Sequence, residues 1–242
     1  MTADAQAPTA RTIGVLLYPG FAVLDVFGPV QYLSALGLHV PINFVMIAET
    51  MHPVSSAPPT RAAIEAATGK PYETDPSLPM SDHPAVAQRV CPDFTYETCP
   101  PLDVLLVPGG IDTRVEVTNQ ATLTFIRDRF EELEYLLTVC TGAAIVARTG
   151  LMDGVRVTSN KFEWQFVKAQ GPKVDWVHRA RWVDAGKIVS SSGVAAGMDM
   201  MYYWISKVYG ADLARGVANV IEHMPATDAD ADPFAEVWID RA

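Results

Sequence analysis

Cysteine is scarce in this chain: there are three in 242 residues, Cys91, Cys99 and Cys140. So few thiols, in an odd number, make no disulfide framework. Cys91 and Cys99 match no zinc-ligand spacing and no second Cys or His pair completes a set, so no metal is expected. Neither G-x-G-x-x-G nor a Walker-type loop occurs, which removes motif support for a nucleotide cofactor. Basic residues are few as well, 18 Lys and Arg against 28 Asp and Glu, for a formal charge of −10. Such a chain repels phosphate backbones, and nucleic acid is not an expected partner. No apolar run approaches the roughly 20 residues that span a bilayer, so no membrane is expected either. The opening MTADAQAPTA carries no basic or hydrophobic signal region. With 49% apolar and 19% charged residues, the composition predicts a soluble, cytoplasmic α/β protein with free thiols.

What is present has an order. Residues 1–10 are small and polar and are expected to form a disordered arm. Thr12 to Tyr18 reads as a strand stopped by Pro19-Gly20. Val23, Val26, Val30 and Leu33 then recur at helical spacing up to Gly37, and Pro29 predicts a regular helix that starts only a few residues before it. Ile42 to Ala48 is a second strand. Residues 49–90 hold seven of the 18 prolines and read as an excursion, with a short helix over Arg61 to Thr68. Leu102–Val107 is an unbroken apolar run suited to a central parallel strand, ended by Pro108-Gly109-Gly110. Asn119 caps a helix with Leu123, Ile126 and Phe130 on one face. Tyr135–Val139 is a further strand that runs straight into Cys140-Thr141-Gly142. Asn160 is placed to cap another helix, and Arg181–Ser191 reads as a hairpin turning at Ala185-Gly186. Helices over Ala195 to Tyr209 and Ala211 to His223 precede an acidic tail, residues 225–242. Strands alternating with helices predict one α/β domain over residues 11–224, a parallel sheet sandwiched by helices.

Cys140 is the leading candidate for chemistry. A residue at a sharp strand-to-helix turn is driven to the carboxyl end of the sheet, where open α/β sheets keep their sites. The helix N-terminus behind it favours thiolate, which predicts a thiol more acidic than about 8.5 and the most reactive of the three. The plainer alternative is a buried cysteine acting as a small hydrophobe. Gly109 and Gly110 end the neighbouring strand in a turn whose N–H groups, with that of Thr141, suit an oxyanion hole. Asp25 is the sole acid in FAVLDVFGPV, and is either a helix cap or a carboxyl held near a reactive group. In an apolar pocket, desolvation would keep it protonated and able to donate. His39, His52, His83, His178 and His223 are scattered, none adjoins the elbow, and all five read as structural or surface residues. The Met198–Trp204 cluster reads as core or interface.

Four segments, IGVLLYPGFAVLDVFGPVQYL, DVLLVPGG, LLTVCTGAAIVARTGLMDG and SSGVAAGMDM, together resemble the ThiJ/PfpI superfamily, which has the class I glutamine amidotransferase-like fold. L-D-x-x-G-P and C-T-G resemble its isocyanide hydratase-like branch most. The resemblance implies a flavodoxin-like central sheet with a nucleophile elbow, Cys140 as nucleophile and Asp25 as the acid beside it. It implies Gly110 and Thr141 as backbone donors, Asn160 and Val194 as pocket lining, and a homodimer. Proteases and glyoxalases of the superfamily tend to carry histidine where Thr141 stands, whereas Asn160-Lys161 replaces the histidine and tryptophan common in hydratases. The expected function is cysteine-dependent hydration of an isocyanide or similar small electrophile, without a cofactor. The alternatives are glyoxalase-type conversion of a 2-oxoaldehyde and a cysteine redox sensor. A sensor joined to a DNA reader is not expected, because only the acidic tail follows Met224.

Overall fold

The computed structural model describes residues 10–58, 60–69 and 86–241. Nearly all of the N-terminal arm and residues 70–85 of the excursion lie outside them. Strand β1 (Arg11–Leu16) leads into α1 (Val23–Leu36) and β2 (Ile42–Ala48). The excursion then contributes β3 (Val54–Ser55), α2 (Arg61–Thr68) and β4 (Arg89–Val90) before β5 (Phe94–Thr95). Next come β6 (Val104–Val107), α3 (Thr113–Glu116), α4 (Gln120–Arg129), β7 (Tyr135–Thr138) and α5 (Gly142–Arg148). The chain continues through β8 (Arg156–Val157), α6 (Trp164–Gln170), β9 (Asp175–Trp176), β10 (Trp182–Asp184) and β11 (Ile188–Ser191). It closes with α7 (Ala196–Tyr209), α8 (Ala211–Val220) and α9 (Phe234–Val237).

Seven strands form the central sheet in the order β10-β11-β7-β6-β1-β2-β5. Every pair in it is parallel except β10 with β11, the hairpin at the edge. Because β6 and β7 are covered on both faces, all their residues but Tyr135 are buried, which is why they read as unbroken apolar runs. Helices α1, α7 and α8 pack together on one face, and α3, α4 and α6 gather around α5 on the other. The strand order turns around at β1: β2 and β5 lie on one side of it, and β6, β7 and β11 on the other. At that switch point the loops leaving the carboxyl ends of β1 and β6 diverge and open a crevice. The register pairs Val107 with Thr138, so Pro108-Gly109 lies level with Val139-Cys140.

Two expectations need correction. Helix α1 runs straight through Pro29, starting six residues before it. Tolerance there has a physical reason, since Pro29 only withholds an N–H from the carbonyl of Asp25 and its ring is buried. Asn160 does not cap α6; its Oδ1 accepts from the Glu163 N–H at 2.9 Å and shapes the turn before the helix. Met200, Met201 and Trp204 are wholly interior, so of the two readings of that cluster, core or interface, they belong to the core. The acidic tail is folded onto the body, with Asp232 and Ala235 buried.

Candidate active site

The elbow is made by two sharp backbone events. Strand β7 ends at Thr138, and Cys140 then adopts φ 59°, a left-handed conformation unfavourable for a residue with a Cβ. Its amide donates to Ser192 O at 3.1 Å, and its carbonyl accepts from Ser159 Oγ at 2.6 Å. Helix α5 begins at Gly142, where an added Cβ would lie 2.2 Å from Val107 O, so only glycine lets the helix start against β6. Val194 is strained as well, at φ 40°. This unusual turn aims its N–H at the Cys140 sulfur, beside the Thr141 N–H and the Asn160 amide, whose Nδ2 lies 3.2 Å from Sγ.

Asp25 stands in the first turn of α1, fully buried. It is not a cap, because the capping position is Ala22 and no side chain caps the helix. Its Oδ2 instead accepts the Gly109 N–H at 3.0 Å, while Oδ1 has no partner of good hydrogen-bond geometry. Burial pushes the carboxyl up to about 7, against hydrogen bonds from Gly109 and from the Cys140 side chain. The thiol moves the same way. Burial raises it, the Asp25 charge adds to this, and the Val194, Thr141 and Asn160 donors oppose without prevailing. The expectation of an unusually acidic thiol is therefore overturned. A seven-residue helix offers a few specific N–H groups, and desolvation outweighs them. Thiol and carboxyl together form a buried pair in which desolvation favours the protonated form of each.

The oxyanion hole expected from Gly110 and Thr141 also differs. The Gly110 N–H donates to Thr141 Oγ1 at 3.0 Å, and that hydroxyl bonds Thr113 Oγ1 at 2.8 Å, which in turn lies 3.0 Å from Tyr18 OH. Gly110 is thus held at the cavity wall with its donor occupied, and the donors converging on sulfur come from Val194, Thr141 and Asn160. Gly109 earns its place by proximity: a Cβ there would meet Thr141 Oγ1 at 2.5 Å and Asp25 Oδ2 at 3.0 Å.

Over the thiol opens a cavity of about 250 Å³, lined among others by Ala22, Ile111, Arg114, Phe162, Glu163 and Phe166. None of these was singled out from sequence, since they come from three segments and carry no shared spacing. Arg114 and Glu163 close on each other at 2.5 Å, and the guanidinium stacks 4.3 Å from the centre of the Phe166 ring. The mouth therefore presents a neutralised pair and apolar walls. Among the described residues, no group of three or more His, Cys, Asp or Glu side chains is placed to hold a metal ion. No described histidine reaches the elbow: His178 packs on Trp164, His223 bonds Tyr32 OH, and His39 and His52 are exposed, while His83 lies outside the described residues. Nor is any helix among them long and apolar enough to cross a membrane.

Comparison with known proteins fits this geometry. The isonitrile hydratase of Pseudomonas putida is 28% identical over 224 residues, 92% of this chain and 82% of that protein. The HTH-type transcriptional regulator GbdR of Pseudomonas aeruginosa is 29% identical over 135 residues, 54% of this chain but 35% of the regulator. Among solved structures, a ThiJ/PfpI family protein from Pseudomonas syringae superposes with a TM-score of 0.72 at 24% identity, covering 96% of this chain and 84% of that one. Drosophila melanogaster DJ-1beta does so at 0.67 and 15% identity, covering 89% of this chain and all of its own. Residues 11–207 match the model of the DJ-1/PfpI family, and with its elbow cysteine and switch-point cavity the chain belongs to that family.

Proposed function

We propose that this protein hydrates a small isonitrile, or a comparably small electrophile, to an N-substituted formamide, with Cys140 as nucleophile and Asp25 as proton carrier. The observation that carries this reading is a buried thiol at the floor of an apolar cavity with a buried carboxyl beside it, the carboxyl being pushed up to about 7. The Asp25 carboxylate takes the thiol proton as sulfur attacks the terminal carbon of R–NC to form the C–S bond, and delivers it to that carbon to give the thioimidate R–N=CH–S. The carboxylate so formed takes a proton from water as its oxygen adds to the same carbon, and passes that proton to nitrogen. The remaining hydroxyl proton returns to Asp25 as C=O forms and the C–S bond breaks, releasing R–NH–CHO and a thiolate that recovers its proton from Asp25. Water adds across the isonitrile with no oxidant, reductant or metal. The Val194, Thr141 and Asn160 donors hold the sulfur charge at departure.

Two other readings meet the same test. Glyoxalase-type chemistry needs a base that moves a proton between carbons, and Asp25, pushed up to about 7 beside the sulfur, is the group that would serve. Ligand sensing without turnover is favoured by the shared segment with the regulator. A panel of alkyl isonitriles and methylglyoxal, assayed with wild type and Cys140→Ser, decides among them. Formamide production lost in Cys140→Ser is the expected result. Lactate from methylglyoxal, or binding without any product, overturns it.

A further inference from the structure

We propose that Lys161 is a positioning residue for Cys140: its ammonium, locked to Asp232 of the C-terminal segment, holds both main-chain anchors of the elbow and favours the thiolate over the thiol. The proposal rests on Cys140 being the reactive group. Lys161 is 2% exposed, an unusual place for a lysine. Its Nζ donates to Thr158 Oγ1 at 2.8 Å, Ser159 O at 2.9 Å, Ala180 O at 3.0 Å and Ser192 Oγ at 3.2 Å. Asp232 Oδ2 stands 3.4 Å away and accepts from Ser192 Oγ at 2.5 Å. Ser159 and Ser192 are the two residues that grip the carbonyl and amide of Cys140. The neighbouring Asn160 donates to the sulfur itself. One cation thus touches both main-chain holders of the nucleophile and adjoins a side-chain donor to it.

Stability alone does not explain such an arrangement, since a buried ion pair is often no better than an apolar pair of equal volume. The surroundings are specific. Asp232 faces the ammonium from the tail and also accepts from Arg181 Nη1 at 3.4 Å, Arg181 donates from Nε and Nη2 to one oxygen of Asp199 of α7 at 2.7 and 2.6 Å, and the Trp164 ring lies 5.2 Å from the ammonium. His178 feels its charge from the loop before β10, and Asp25 faces the thiol from α1. Burial lowers Lys161 to about 8, Asp232 opposes this, Arg181 adds to it, and charge on Cys140 raises it. That last coupling is reciprocal: if thiolate stabilises the ammonium, the ammonium stabilises thiolate.

The test reads Cys140 alkylation by iodoacetamide against pH, by peptide mass mapping, with exposed Cys91 as internal control. No substrate is involved, so the proposal and the hydratase reading fail separately. In Lys161→Met the Cys140 profile moves to higher pH, and the rate near neutrality falls about tenfold, the equivalent of one pK unit. Cys91 is unchanged. Lys161→Arg, which keeps the charge, recovers most of the rate. Ser192→Ala removes one of the ammonium's holds but leaves its charge, so its profile moves in the same direction by clearly less than that of Lys161→Met. If Lys161→Met does not fold, Lys161→Met/Asp232→Asn replaces it, because Arg181 keeps Asp199 and no charge is stranded. A folded Lys161 variant whose profile coincides with wild type overturns the proposal. So does Ser192→Ala displacing the profile as far as Lys161→Met.

Discussion

Asp25 gives the residue scale its sharpest expectations, because one substitution moves three observables in different directions. If its carboxylate must take the thiol proton for sulfur to attack, kcat/KM climbs as pH rises past about 7. Asp25→Asn abolishes that limb and lowers turnover by on the order of 10²–10⁴, the usual worth of general acid–base assistance. Removing the anion also removes a charge that raises the thiol, so Cys140 alkylation above pH 7 becomes faster in the same variant. Stability follows from linkage. The folded chain binds the Asp25 proton more tightly than the unfolded chain, whose value is near 3.8. Its contribution is therefore fully present below about 4 and is lost as pH climbs towards about 7. Asp25→Asn should raise the thermal midpoint relative to wild type at pH 8 and leave it alone at pH 3. Hydration, alkylation and melting curves on one preparation check all three, and unchanged turnover would remove Asp25 from the mechanism.

At the scale of elements, the elbow at Cys140 depends on how closely α5 starts against β6. Gly142→Ala pushes a methyl group at Val107 O and the Pro108 backbone, neither of which can swing away. Overpacking of this kind costs roughly 1–3 kcal/mol. The expected result is a lowered denaturation midpoint together with a slower Cys140 alkylation, because the elbow moves with the helix start. Asn119 offers the contrast. Its Oδ1 caps α4 by accepting from Ala121 N at 3.0 Å, far from the sulfur in function. Asn119→Ala should cost about 1 kcal/mol by denaturation and leave alkylation and turnover unchanged.

For the whole molecule, the C-terminal segment is part of the site's support, through Asp232 and through Arg241 Nη1, which donates to Phe162 O at 2.9 Å. Self-association, implied by the family resemblance, has to use other residues than the interior Met200 and Trp204. Val23, Leu24 and Val194 are the exposed apolar side chains near the elbow. Light scattering should return the mass of two chains at micromolar concentration, and Leu24→Glu should halve it. A single-chain mass in wild type would refute the dimer.

Much of this was written locally. Arg61–Thr68 forms its helix over the residues read from sequence, and β2 spans Ile42 to Ala48 as periodicity required. The apolar runs of β6 and β7, the Asn119 cap and the glycine-rich turns rest on near neighbours, and near neighbours are what a sequence displays. Cys140 was found the same way, because an elbow is a property of consecutive residues. Ionisation was not legible, since desolvation depends on atoms brought from α1, β6 and the Ser192–Val194 turn, which folding alone assembles around the sulfur. Arg114, Phe162 and Phe166 became cavity walls, and Lys161 found Asp232 71 residues away in sequence, for the same reason. Strand, cap and elbow were local and therefore readable; charge, cavity and counter-ion were decided by what the sheet order put side by side.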